Sequence, residues 1–424
     1  MIIENMRPAD QLILTIDRIY KFGMTTTTGG NISICDSDGD IWITPGGIDK
    51  GSLTREDIVR VKPDGTIIGK HKPSMELPFH SHIYKLRQDI KAIVHAHPPA
   101  LVAFSLVRRL PDTRLYLNAF RECGRVDFVE YALPGSKMLG EKVARVIEND
   151  ANTAILENHG AITVGEDLHK AFKRFETLDF CARTEINANI IGTPSGLTGE
   201  EVSKTAHYEI TEEFEYSNDA RLSELRKEIC SMAKRAYLQG LFTSTSGVIS
   251  HRVEGNSFLI TPEGFDGYLP DEDELVLIKY GKREKDKLPN STFSLHKRIY
   301  EEHPEVNSVM AATPPSAMAF AVTEEEFDSK TIPESYMVLR NLSKLPFNAS
   351  EESISKAISE RMPVMLIRNK CALVTGVSLI KAFDRLEVLD YSARSLISAR
   401  NLGGKLSFIS KECIDEIDEA FKLK

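Results

Sequence analysis

The chain has 424 residues, 42% hydrophobic and 27% charged, a length and balance that predict two soluble globular domains rather than one core. Its formal net charge of -9 excludes the basic face a nucleic-acid partner would need, and no apolar run is long enough to cross a bilayer. The opening residues, MIIENMRPADQ, lack the basic-then-apolar order of a secretory signal, and the cysteines are scattered without a CxxC pair, so reduced thiols and a cytoplasmic location are expected.

In chain order, helical periodicity predicts helices over residues 10–22, 75–87, 136–149 and 167–190. Short apolar runs predict strands over 31–35, 40–44, 92–96 and 153–157. Strands and helices do not alternate regularly, which predicts a mostly antiparallel or mixed sheet covered by helices and excludes a doubly wound parallel sheet. An acidic, polar stretch over 196–219 follows. Its first part is expected to close the first domain as a helix, leaving a short linker near 216–219.

Beyond that point the pattern starts again. TTGGNISICDSDGDIWITPGGID, from Thr27, returns as TSGVISHRVEGNSFLITPEGFD, from Thr245. IKAIVHAHPPALVAFSL returns as VNSVMAATPPSAMAFAV, and AITVGEDLHKAFKRFETLDFCART as ALVTGVSLIKAFDRLEVLDYSARS. The expected division is therefore 1–216 and 219–424, two copies of one domain, the second closed by LSFISKECIDEIDEAF.

The chemistry concentrates in the first copy. In Ile93-Val94-His95-Ala96-His97-Pro98 a buried strand runs into a loop, and residues two apart on a strand share a face. His95 and His97 then converge as zinc ligands; the alternative is a histidine pair satisfied by hydrogen bonds at a strand end. His80-Ser81-His82 has the same spacing on a predicted helix, where such positions diverge, so His82 reads as surface. His80 lies one turn after Glu76 on the same helical face, placed to support it. His159 follows an apolar strand and precedes a glycine, and Glu76 sits near a helix start after Pro73-Ser74. Three histidines and one carboxylate make a catalytic zinc set in which the carboxylate can yield to substrate; Glu76 read alone would merely favour a helix dipole.

Aligning the copies places Ala311 opposite His95, Thr313 opposite His97, Lys370 opposite His159 and Thr292 opposite Glu76. All four candidates are lost together while the scaffold persists, which points to one shared task. An ammonium at Lys370 would also repel a dication. For an anion, residues 25–33 (TTTTGGNIS), the turn at Thr44, Gly46 and Gly47, and Ser74 offer hydroxyls and backbone N–H groups of the kind that cradle phosphate. Gly47-Ile48-Asp49-Lys50-Gly51-Ser52 is not a P-loop, because its order of glycine, lysine and serine is wrong.

Taken together, TGGNIS, ITPGG, PSME, VHAHP and NHG resemble the class II aldolase/adducin family, over nearly all of the first copy and with only the scaffold matched in the second. The resemblance implies tandem three-layer α/β/α domains with a mostly antiparallel central sheet. It implies Zn2+, or another divalent ion such as Mn2+ or Co2+, on His95, His97 and His159, with Glu76 as exchangeable ligand and proton carrier. Thr28, Gly30, Asn31, Thr44, Gly46, Gly47 and Ser74 would hold the substrate phosphate. Met75 departs from the family's second serine and removes one hydroxyl from that set. The implied reaction is lyase cleavage of a ketose 1-phosphate through an enediolate, giving dihydroxyacetone phosphate and an aldehyde. Epimerase, dehydratase or decarboxylase chemistry is the alternative, with Arg121 and Glu122 as candidate groups on the far side of the substrate; an adducin-like scaffold without chemistry is the other. The family's ring assemblies imply a homo-oligomer, a dimer completing a pseudo-fourfold ring, with no membrane or nucleic-acid partner.

Overall fold

The structure, a computed structural model, describes residues 6–203, 210, 212–216 and 220–423. The chain divides into two compact units: residues 1–113 with 119–183, and residues 114–118 with 184–424.

In the first unit the elements run α1 (Pro8–Lys21), β1 (Asn31–Cys35), β2 (Ile41–Ile43), β3 (Val59–Val61), β4 (Ile67–Ile68), α2 (Leu77–Leu86), β5 (Ala92–Ala96), α3 (Pro99–Leu106), α4 (Leu117–Cys123), β6 (Val126–Val129), α5 (Lys137–Glu148), β7 (Thr153–Leu156), β8 (Gly160–Gly165) and α6 (Leu168–Ile191); α4 and α6 each cross the division. The strands form one sheet in the order β4-β3-β2-β1-β5-β8-β7-β6. Every pairing is antiparallel except β6 with β7.

Alternation along the central strands sends apolar side chains to two cores. Ile32 and Val94, partners in the β1–β5 register, join Leu12, Ile16, Leu101 and Phe175 on one face. Ile93, Ile162 and Val164 join Phe79, Ile83, Leu139 and Val143 of α2 and α5 on the other. The result is a three-layer α/β/α unit with a mostly antiparallel sheet. Full burial of each such aliphatic side chain is worth about 1.5–3 kcal/mol. Helix ends follow local chemistry: Pro8 opens α1 where its missing N–H costs nothing, Gly23 leaves it at φ 67°, and the Ser136 hydroxyl accepts from Leu139 N at the start of α5.

The second unit continues with α7 (Gly199–Ser203), β9 (Glu213–Phe214), α8 (Ala220–Leu238), β10 (Val248–Glu254), β11 (Ser257–Ile260), β12 (Val276–Lys279), β13 (Lys282–Glu284), α9 (Phe293–Glu302), β14 (Ser308–Ala312), α10 (Pro315–Ala321), α11 (Pro333–Leu339), β15 (Ser343–Leu345), α12 (Glu351–Ala357), β16 (Val364–Ile367), β17 (Cys371–Gly376), α13 (Leu379–Asn401) and α14 (Lys411–Ala420). Its sheet order, β15-β16-β17-β14-β10-β11-β12-β13-β9, reproduces the first sheet strand for strand and adds β9 at the edge. The match extends to register: Asn31 faces His95 as Val248 faces Ala311.

In the acidic stretch the described residues hold a five-residue helix, α7, in its first part and then β9, which pairs in parallel with β13 of the second sheet. By compactness, residues from Thr184 onward group with the second unit. Arg283–Glu213 and Lys282–Glu212 ion pairs help hold β9 there. Residues 217–219 of the expected linker lie outside the described residues. All six cysteines are free thiols, and no helix among the described residues is long and apolar enough to cross a membrane.

Candidate metal centre

His95 sits near the end of β5, where β1 and β8 flank it, and is fully buried. Its Nδ1 lies 2.9 Å from the carbonyl oxygen of Ala161. A carbonyl only accepts, so Nδ1 carries the proton and Nε2 turns into the site. His97 follows just past the strand, and the two Nε2 atoms stand 3.2 Å apart. His159 comes from the β7–β8 turn, where Asn158 takes the left-handed conformation at φ 52°, tolerable for asparagine. The ligand-capable atoms of these three histidines all lie within 4.8 Å of one another.

Two glycines make room for this. A Cβ on Gly160 would come within 2.6 Å of both the Ala96 carbonyl oxygen and the His97 ring. Gly30 has φ 68°, and a Cβ there would stand 2.9 Å from the His95 carbonyl oxygen.

Glu76 caps α2 and is 5% exposed. One carboxylate oxygen, Oε2, lies 3.1 Å from His95 Nε2 and accepts from Asn31 Nδ2 at 2.7 Å. The other, Oε1, is 3.5 Å from His159 Nε2 and is buried without a hydrogen-bond partner among the described residues. Burial pushes the Glu76 pKa up, but the His95 imidazole, the Asn31 amide and His159 outweigh it, so the carboxyl titrates well below the usual range. Burial opposes a charge on His95 too; the Glu76 carboxylate overrides it and raises its pKa. Burial, then the nearby His95 charge, lowers His97 to about 3 and His159 to about 4. The pocket thus presents one buried carboxylate, two neutral imidazoles and a third imidazole whose inward nitrogen attracts a positive charge. That donor set, with the orphaned Glu76 oxygen, fits a divalent cation.

A polar chain positions the carboxylate. Burial lowers His80, fully enclosed, to about 3, so its ring is neutral. His80 Nε2 donates to Asn31 Oδ1 at 2.6 Å, and Asn31 donates onward to Glu76. That leaves His80 Nδ1 to accept from Ser33 Oγ, 2.6 Å away, and Ser33 to accept from the Tyr84 hydroxyl at 2.6 Å. Sequence reading assigned Asn31 to the phosphate alone and placed His80 behind Glu76 directly; the contact runs through Asn31. His82 is half-buried.

The remaining candidates separate. Gly46 and Gly47 are exposed, Gly47 at φ 70°, and the Gly46 Cβ position lies 3.8 Å from Met75 N. Ser74 is nearly buried and its hydroxyl accepts from Glu76 N at 3.3 Å. Thr28 is exposed. Thr44 is a correction: it is fully buried and its hydroxyl oxygen accepts from Ile32 N, so it belongs to the sheet. Thr261 makes the same bond to Ile249 N in the second unit. Glu122 pairs with Lys170 at 3.0 Å.

The second unit keeps the scaffold without the ligands. Ser250 lies 2.7 Å from both His296 Nδ1 and the Tyr300 hydroxyl, repeating Ser33, His80 and Tyr84. Val248 replaces Asn31, and His296 Nε2 is buried without a partner among the described residues. At the His97 position Thr313 bonds Ser246, and at the Gly160 position stands Cys371.

Comparison with known proteins agrees with this doubled layout. The profile of the Class II Aldolase and Adducin N-terminal domain matches residues 10–186 and again 227–397. An L-fuculose phosphate aldolase of Methanococcus maripaludis is 38% identical over 173 residues, 40% of this chain and 89% of that protein. A 5-deoxy-D-ribulose 1-phosphate aldolase of Bacillus thuringiensis is 34% identical over 200 residues, 46% of this chain and 92% of that one. A 3-oxo-tetronate 4-phosphate decarboxylase of Pectobacterium atrosepticum is 34% identical over 169 residues, 39% and 77% of the two chains. A solved L-fuculose 1-phosphate aldolase structure has 31% identity and a TM-score of 0.43, covering 46% of this chain and 92% of its own. With both halves matched by one profile, the chain belongs to the class II aldolase and adducin family.

Proposed function

We propose that this protein is a divalent-metal-dependent aldehyde-lyase that cleaves a phosphorylated ketose between two carbons, giving dihydroxyacetone phosphate and an aldehyde. The observation that carries the reading is the buried Glu76 carboxylate, one oxygen held by Asn31 and the other unpartnered, facing three imidazoles. His95, His97 and His159 would hold the ion, with Glu76 as the ligand that yields to substrate. A divalent ion there supplies Lewis-acid stabilisation of the negative charge that develops on substrate oxygens. Glu76, ionised at neutral pH and aimed by Asn31, moves the proton to and from the carbon left as an enediolate when the bond breaks. The glycine turn at Gly46 and Gly47, with Ser74 and Met75 N at the start of α2, faces the phosphate.

Loss of carbon dioxide from a phosphorylated 3-oxo acid leaves the same kind of enediolate, and the similarity to a 3-oxo-tetronate 4-phosphate decarboxylase makes this the second reading. One assay separates them. Purified protein is measured for metal content, then offered L-fuculose 1-phosphate, 5-deoxyribulose 1-phosphate and a 3-oxo-tetronate 4-phosphate, with aldehyde and carbon dioxide followed separately. Aldehyde release that disappears in His95→Ala supports the lyase. Protein that holds no divalent metal and acts on none of the three ends both readings.

A further inference from the structure

The seven residues from Thr44 differ between the units at two positions that carry charge: Gly46 and Lys50 in the first, Glu263 and Gly267 in the second. Lys50 is 1% exposed, yet forms no ion pair among the described residues. Its Nζ donates to the carbonyl oxygens of Pro45, at 2.6 Å, and Ile48, at 3.3 Å, which bracket Gly46 and Gly47. The charged groups around it are matched elsewhere: Asp10 is held by Arg55, Asp17 by Lys21, and the exposed Asp49 caps Gly51 N and Ser52. A buried ammonium without a counter-ion is costly and is kept where its charge has use. Burial, only partly offset by Asp49, lowers its pKa to about 8, so it remains charged at neutral pH.

The second unit places a carboxylate on the same turn. Glu263, at the Gly46 position, accepts from Asn290 Nδ2 at 3.0 Å, Ser291 N at 3.2 Å and Ser291 Oγ at 3.1 Å. These donors occupy the positions of Ser74 and Met75, the side toward which a Gly46 Cβ would point. A carboxylate built into the chain therefore sits where the first unit leaves a niche open, and the lysine behind it is gone.

We propose that Lys50 supplies the positive charge of this niche, a positioning residue that makes the first unit select a phosphate monoester, while Glu263 fills the corresponding niche of the second unit as a built-in anion. The proposal rests on the reading of a phosphorylated substrate given above.

Inorganic phosphate is titrated calorimetrically into the full-length wild type, Lys50→Met and Gly46→Glu, with metal content and melting temperature measured on each. Wild type should bind one phosphate per chain. Lys50→Met should bind at least tenfold more weakly with metal content unchanged, and Gly46→Glu, which copies Glu263, should lose binding. Wild-type affinity should also fall above about pH 8 relative to Lys50→Met, a dependence that a merely structural clamp would not produce. If Lys50→Met misfolds, Gly46→Glu still decides, because the second unit already holds a glutamate there. Equal phosphate affinity in wild type and Lys50→Met, or retained binding in Gly46→Glu, overturns the proposal alone. A wild type that binds no phosphate removes the phosphorylated-substrate reading beneath it.

Discussion

His80 holds Asn31 through a 2.6 Å hydrogen bond to its amide oxygen, and so fixes which end of that amide faces Glu76. Asn31→Val reproduces the side chain that the second unit carries as Val248. We expect activity to fall ten- to a hundredfold, the usual effect of removing a group that orients a ligand, with the melting temperature shifted by only a few degrees. Steady-state rates and thermal unfolding on the same preparation check this; unchanged rates would detach Asn31 from the carboxylate's task.

Metal stoichiometry is the second expectation. One divalent ion per chain should be found by elemental analysis, and His95→Ala or His159→Ala should abolish it and reduce activity by at least a hundredfold. Introducing Thr292→Glu, Ala311→His, Thr313→His and Lys370→His together should raise the count toward two. A wild-type count of two would show that the second unit binds metal by some other set.

Gly160 gives a third. In Gly160→Ala the new methyl would meet the His97 ring and the Ala96 carbonyl oxygen at 2.6 Å, too close to persist. We expect metal affinity to drop at least tenfold and stability by about 1–3 kcal/mol. Pairing the change with the smaller ring-free residue, as Gly160→Cys with His97→Thr, should recover stability but not metal, by competition with a fluorescent chelator and by denaturant unfolding.

Acid sensitivity follows from His80 and His296. Both are fully buried, and burial lowers each from 6.5 to about 3. Between those values the unfolded chain binds a proton at each site that the folded chain does not. Stability is therefore complete above pH 6.5 and declines as pH falls toward 3, by roughly 1.4 kcal/mol per pH unit for each histidine. Urea midpoints at pH 7 and pH 5 measure the slope. A flat response would place both rings in contact with water.

Much of the fold was legible because its signals are local. The amphipathic α1, α2, α5 and α6 and the apolar β1, β5 and β7 carry their periods in sequence, and the candidate histidines stand at strand ends, where for His95 and His97 a period of two is informative. Other parts were not. α3 reads PALVAFSL, apolar on every side, so it has no helical stripe to detect. β9 is only Glu213 and Phe214, with no period of its own to detect; it pairs with β13, where Arg283, some seventy residues later in the chain, meets Glu213 and Lys282 meets the preceding Glu212. The bond from His80 to Asn31 spans 49 residues and has no spacing rule behind it. Thr44 looked like part of a phosphate loop because a threonine before Pro-Gly-Gly gives no hint that its hydroxyl points inward to Ile32.

The Nε2 of His296, without a partner among the described residues, marks a polar position that the second half leaves unfilled. A buried imidazole nitrogen left without a partner costs roughly 1–3 kcal/mol unless water satisfies it. The aligned position that carries Asn31 in the first half carries Val248 in the second. Val248→Asn would offer that nitrogen the amide partner that His80 has in Asn31.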